Sequence, residues 1–246
     1  MVDDYRNPNW ENAGELLVYG VASILSVFPE TAPVGAGAAF VLLARQNERL
    51  NKFIRTVKQK FEQVDHAKLD KPMLHSDEFT DLVFQNVDAA SKTASDIKQE
   101  ALANILINAS LLPTSKISGK LIFTRLVSQM SDEEMYALRV IYNEEPRVLA
   151  KEKADGIKCY TSGYQHPCVG NRIVAEKLGW NVEDATVACQ GLLQLCLVSA
   201  VKWDGIRSYH LAVGWRITEL AKKLVTFVLD PTLDNQYISK VHHRNG

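Results

Sequence analysis

NRIVAEKLGWNVEDATVACQGLLQLCLVSAVKWDGIRSYHLAVGWRITELAKKLVTFVL, residues 171–229, decides the fold. The stretch reads as helix, tight turn, helix, two-stranded hairpin, helix. In residues 171–178, Ile173, Val174 and Leu178 share one helical face, and Gly179 stands where a left-handed C-cap is needed. A second helix begins at once. Asn181 is its N-cap, Asp184 is acidic in its first turn, and Ala185, Cys189, Leu192, Leu193 and Cys196 recur at helical spacing. The two cysteines read as small core residues on the buried face of that helix. Residues 195–203 favour a strand, Asp204-Gly205 is a hairpin turn signal, and residues 209–217 return as a second strand. Thr218 then caps a last helix, with Leu220, Leu224 and Val228 in line.

This order resembles the winged helix-turn-helix fold. The segment GWRITELAKKL, 214–224, is similar to the end of the wing and the following helix in bacterial regulators of the MarR and HxlR kind. Winged helices bind DNA in some proteins and protein in others, so the resemblance implies a fold and leaves the partner open. The second helix discriminates between them. A helix that reads the major groove carries Arg, Lys, Asn or Gln, and phosphate neutralisation dominates its affinity. Here the outward face is Glu183, Asp184, Thr186, Val187, Gln190, Gly191 and Gln194, with two negative charges and no positive one. Arg172 and Lys177 on the preceding helix and Lys202 and Arg207 on the wing are the nearby cations. Gln190, Gln194, Glu183, Lys202, Arg207, Arg172 and Lys177 are therefore the candidate partner or DNA-binding residues, and the balance favours protein over base-sequence reading.

Composition points the same way. The chain has 246 residues and a formal net charge of −1, which lacks the basic excess of a dedicated nucleic-acid binder. Four cysteines are too few for a disulfide scaffold, and the acidic, polar start is the wrong chemistry for a secretory signal. A cytoplasmic location is the expectation.

Residues 16–44 are the most apolar part: LLVYGVASILSVF, then PETAP, then VGAGAAFVLLA. A spanning helix needs about 20 consecutive apolar residues, and Pro29, Glu30 and Pro33 interrupt this stretch. Two readings remain. One is a helical hairpin buried in the core or at an oligomer interface, its close approach allowed by Gly35 and Gly37. The other is a hairpin that enters a bilayer, with Phe40 in its second limb and Arg45, Arg49, Lys52 and Arg55 suited to an anionic surface.

Residues 45–64 form an amphipathic helix with Leu50, Phe53, Ile54, Val57, Phe61 and Val64 on one stripe, and Lys71-Pro72 breaks it into a loop. Ser76 caps a helix to about 91, and Ser95 caps the next, whose Ile97, Ala101, Leu102, Ile105 and Leu106 make a buried stripe. Ser76, Glu78, Phe79, Thr93, Ser95, Leu102, Ile105, Leu106 and Asn108 resemble a pattern in bacterial helical proteins of uncharacterised action. Those have an apolar amino-terminal segment and a carboxyl-terminal winged helix, and some are associated with phage defence or abortive infection. Residues 119–130 look helical, Ser131 and Glu134 make a capping box for a helix through Ile141, and 143–156 read as a loop or frayed helix.

The fold expected is mainly α: an N-terminal helical bundle, 1–118, joined to a C-terminal winged helix-turn-helix domain, 119–230, with one β-hairpin and a flexible tail, 231–246. Cys159, His166 and Cys168 are metal-ligand types, but their spacing is not that of a zinc site and a fourth ligand is missing, so they are weak metal candidates at most. No phosphate loop, dinucleotide fingerprint, zinc-protease or nucleophile-elbow motif occurs, and neither cofactor nor small-molecule substrate is implied. The leading expectation is a non-enzymatic bacterial protein that binds or senses a protein partner, with self-association included and phage defence as its setting. A DNA-binding regulator and a membrane-acting effector working through 16–44 are the alternatives.

Overall fold

The structure, a computed structural model, describes residues 37–155, 160–161, 164–165, 168–202 and 213–228. The apolar stretch 16–44 lies outside these residues up to 36, as do the expected hairpin turn at 204–205, Arg207 and the expected tail at 231–246. No described helix is long and apolar enough to cross a membrane. The fold is mainly helical with a small antiparallel sheet. It divides into two units, the first comprising 1–128 with 227–246, the second 129–226.

In the first unit, α1 runs Gly37–Glu62 as one continuous helix, so the residues after 36 have no break at the expected hairpin's end. Leu50, Phe53, Val57 and Phe61 are buried along one stripe. The loop expected around Lys71-Pro72 contains instead a single helical turn, α2, Lys71–Leu74. Asp70 caps it by accepting the Met73 N–H, and the proline sits in the first turn, where its missing N–H costs nothing. Asp70 also accepts the Ser115 hydroxyl at 2.7 Å, and that bond holds its carboxyl below the ordinary value.

Helix α3, Asp77–Lys92, and helix α4, Asp96–Ala109, start at the expected caps: Ser76 accepts from the Phe79 N–H and Ser95 from the Lys98 N–H. The expected single stripe of α4 is corrected, because every residue from 101 to 110 is buried. Helix α4 packs against both α1 and α3, and a segment enclosed on all sides carries apolar residues round its whole circumference, with any polar side chain there hydrogen-bonded. Its buried Asn104 and Asn108 donate to the carbonyls of Val228 and Phe227.

Helix α5, Lys120–Gln129, was expected with the winged-helix domain, but its packing falls in the first unit. Thr124 accepts a 2.8 Å hydrogen bond from Asn86, Lys120 reaches Glu78 at 3.0 Å, and the Phe123 ring lies 4.9 Å from that of Phe227.

In the second unit, α6 spans Asp132–Asp155. The capping box forms: Glu134 N–H donates to Ser131 Oγ at 3.1 Å, and Ser131 N–H donates to Glu134 Oε2 at 2.7 Å. Beyond Ile141 a loop or frayed helix was expected, and the helix continues through Pro146 to Asp155. Tertiary contacts hold it: Glu145 accepts the Ile217 N–H at 3.1 Å, and Glu144 pairs with Lys177 at 3.6 Å.

Two-residue strands β1, Tyr160–Thr161, and β2, Tyr164–Gln165, pair antiparallel. Strand β3, Val169–Gly170, precedes helix α7, Asn171–Leu178, which ends at Gly179 with φ of 67°. Asn181 caps helix α8, Val182–Gln194, and accepts the Asp184 N–H at 2.7 Å. Strands β4, Val198–Lys202, and β5, Val213–Ile217, follow, and helix α9, Glu219–Val228, starts at Thr218, whose hydroxyl accepts from Ala221 N–H.

The sheet order is β3-β5-β4, with Val169 opposite Trp215 and Ala200 opposite Trp215 on the other side. The expectation of one β-hairpin is thus corrected by a third strand and by the short β1–β2 ribbon. Buried Trp215 donates its indole N–H to Asn171 Oδ1, joining the middle strand to the start of α7.

Candidate functional site

Helix α8 buries Ala185, Ala188, Cys189 and Leu192, and Gly191, expected on the outward face, is half-buried because it faces α6. Burial pushes the Cys189 thiol up to about 12, the behaviour of an inert core residue. Leu193 and Cys196, expected on the same face, are instead exposed: Leu193 lies in the last turn, and Cys196 just past the helix end with φ of 58°. There Cys196 N–H reaches Leu193 O and Leu197 N–H reaches Leu192 O, so the thiol residue fills the left-handed position of a helix-ending turn.

Glu183, Asp184, Gln190 and Gln194 are exposed, and α8 contains no Lys, Arg or His. Two apolar side chains of the helix are exposed: Val187, on its second turn, is 68% exposed, and Leu193, in its last turn, 39% exposed. Gly191 lies flush against α6. A Cβ there would sit 1.7 Å from Glu134 Oε1 and 2.7 Å from its Cδ, so the absent side chain is what admits the capping carboxylate.

Between the start of α6 and the junction of α7 with α8 lies a groove of about 760 Å³. Tyr136, Leu178, Trp180, Val187 and Ala188 supply its apolar and aromatic lining, and Ser131, Glu133, Glu134 and Asp184 its polar one. Tyr136 is 42% exposed. Sequence reasoning identified Val187 as outward but not this groove. Tyr136 and Glu133 lie some forty positions before Trp180 in the chain, and periodicity within one helix carries no information on which helix another one meets.

The other candidates are scattered. Arg172 is exposed in the first turn of α7, and Lys177 is engaged with Glu144. Lys202 ends β4, and Arg207 lies outside the described residues. Gly35 also lies outside them; Gly37 and Phe40 belong to the first turns of α1. Arg45 is exposed, whereas Arg49 donates to the Ser91 and Lys92 carbonyls at the end of α3, which gives this cation an internal role. Cys168 is buried, Cys159 and His166 lie outside the described residues, and no metal-ligand cluster occurs among the described ones. No protein-family model, curated protein or solved structure matches the chain.

Proposed function

We infer that the second unit is a winged helix-turn-helix that binds protein, in a non-enzymatic protein whose setting, by the resemblance of its helical pattern, is bacterial phage defence. The chain order supports the winged-helix assignment: α6, β3, α7, a glycine-capped turn, α8, then β4 and β5, with β5 between β3 and β4 in the sheet. The observation that carries protein binding is the outward face of α8. Val187 is exposed beside Glu183 and Asp184, Leu193 is exposed in the last turn, and the helix has no cation. Such a face repels phosphate, and it offers apolar area that a protein partner would bury.

The test is isolation of the tagged full chain from the cells in which it naturally occurs. The reading expects a protein retained in fixed stoichiometry, a second copy included, that is released by Val187→Asp and by the Gln190→Ala, Gln194→Ala pair. Gln46→Ala, exposed on α1, should leave it bound. Duplex binding that falls steeply with salt and disappears in the Gln190, Gln194 variant would replace this reading with a DNA-binding one.

A further inference from the structure

The groove at the start of α6 has a chemical bias that narrows its partner. Two aromatic side chains, Tyr136 and Trp180, line it together with the carboxylates of Glu133, Glu134 and Asp184, and no Lys, Arg or His does. Two of these carboxylates are already engaged: Glu134 accepts the Ser131 N–H, and Asp184 accepts from the Asn181 side-chain amide at 2.7 Å. The Glu133 carboxylate has no hydrogen bond or ion pair among the described residues and is exposed. Three acidic groups around one hollow repel one another, and a cation entering it relieves that repulsion. Aromatic rings add attraction for the same cation, since their faces are negative. The volume, about 760 Å³, matches several side chains rather than one small ion, and exposed Val187 extends the apolar lining.

We propose that this groove receives a segment of a partner protein that brings a lysine or arginine to Glu133 and the two aromatic side chains and lays a neighbouring apolar side chain against Val187. The proposal rests on the reading of the second unit as a protein-binding module and specifies what that module takes. Charge complementarity selects the occupant: the same surface disfavours an acidic segment or a nucleic-acid phosphate.

The experiment uses the full chain and four fluorescein-labelled probes followed by anisotropy. These are a short amphipathic peptide with leucines on one face and lysines on the other, its glutamate-for-lysine and serine-for-leucine counterparts, and a duplex oligonucleotide. The lysine peptide should bind, and both counterparts should bind at least about tenfold more weakly. Glu133→Lys should weaken the lysine peptide roughly three- to tenfold, the size of replacing an exposed attraction by a repulsion. Tyr136→Ser should weaken it as well, with thermal unfolding as the check that both variants fold. Glu48→Lys, exposed on α1, should change nothing. Equal binding of the glutamate peptide, equal effects of Glu133→Lys and Glu48→Lys, tighter binding of the duplex, or no peptide binding at all would each overturn the proposal. If the native partner is still released by the α8 substitutions while these peptides fail, only the groove assignment falls. If no partner is released, the broader reading falls with it.

Discussion

Gly191 and Glu134 offer the sharpest test of how α6 is fixed to α8. Replacing glycine by alanine inside an exposed helix ordinarily stabilises by about 1 kcal/mol, through propensity alone. At Gly191 the added methyl would stand 1.7 Å from Glu134 Oε1, so the carboxylate must swing away by more than 1 Å to reach ordinary contact near 3.4 Å. That movement breaks the 2.7 Å bond to Ser131 N–H, a loss of about 1 kcal/mol, and forces the side chain from its rotamer at a cost of about 1 kcal/mol more. Gly191→Ala alone should therefore destabilise the second unit by about 1 kcal/mol, the two losses less the propensity gain. In a Glu134→Ala background the obstacle is gone, and the same change should stabilise by about 1 kcal/mol. The coupling across the cycle is then about 2 kcal/mol. Urea unfolding followed by tryptophan fluorescence suits the measurement, because Trp180 and the buried Trp215 both belong to the second unit. Additivity of the two substitutions within about 0.3 kcal/mol would refute the claim that the glycine exists to admit the carboxylate.

Three further outcomes follow from individual residues. Cys196→Gly should raise stability by roughly 0.5–1 kcal/mol, since glycine meets no Cβ penalty at a φ of 58°, whereas Cys196→Ala should not; paired urea melts would separate these. Burial of the Glu145 carboxyl raises its pKa, so the folded state holds its proton more tightly than the unfolded chain, and stability falls as pH rises from about 4.5 through the elevated value. Glu145→Gln keeps an acceptor for the Ile217 N–H, so it should be more stable than the parent at neutral pH. That advantage should vanish below pH 4.5; a constant gap across pH would contradict the burial argument. Among the described cysteines, Cys196 should react with a thiol reagent in the folded protein, while Cys189, its thiol pushed up to about 12, should react only on unfolding, as peptide mapping of labelled protein would show.

Helix ends were legible because a cap is a local device. Ser76, Ser95, Asn181 and Thr218 each place a side-chain oxygen within three residues of the N–H it accepts, and the Ser131–Glu134 box closes within the same span. Gly179 was equally readable, since its left-handed turn needs only its own missing Cβ. Reading Lys71-Pro72 as a plain loop failed for a related reason: proline is excluded from a helix interior but welcome in its first turn, and Asp70 supplied the cap.

Residues 143–155 show the limit. Their own chemistry, with Pro146 and a run of charges, favours an interrupted helix, and Glu145 and Glu144 hold it by reaching Ile217 and Lys177, far along the chain. Cys196 likewise fits a helical stripe until the turn into β4 requires a left-handed residue there. The groove belongs to the same class: Glu183, Asp184, Val187, Gln190 and Gln194 were readable as outward from the period of α8, whereas Gly191 turned to α6, Leu193 turned outward, and Tyr136, Glu133 and Trp180 meet only through the packing of α6 on α7 and α8.

The sequence by itself determined most of the helices, their caps, the paired strands β4 and β5 and the polar outward residues of α8, because these depend on backbone sterics and on periodicities shorter than two turns. Only the tertiary structure decided that β3 joins β5, that α5 packs in the first unit, that α4 is enclosed on every side and that Gly191 receives Glu134. Each of those depends on which apolar surfaces find one another at long separation, a choice made by the total area removed from water and the fit of the facing side chains, which no local stretch encodes.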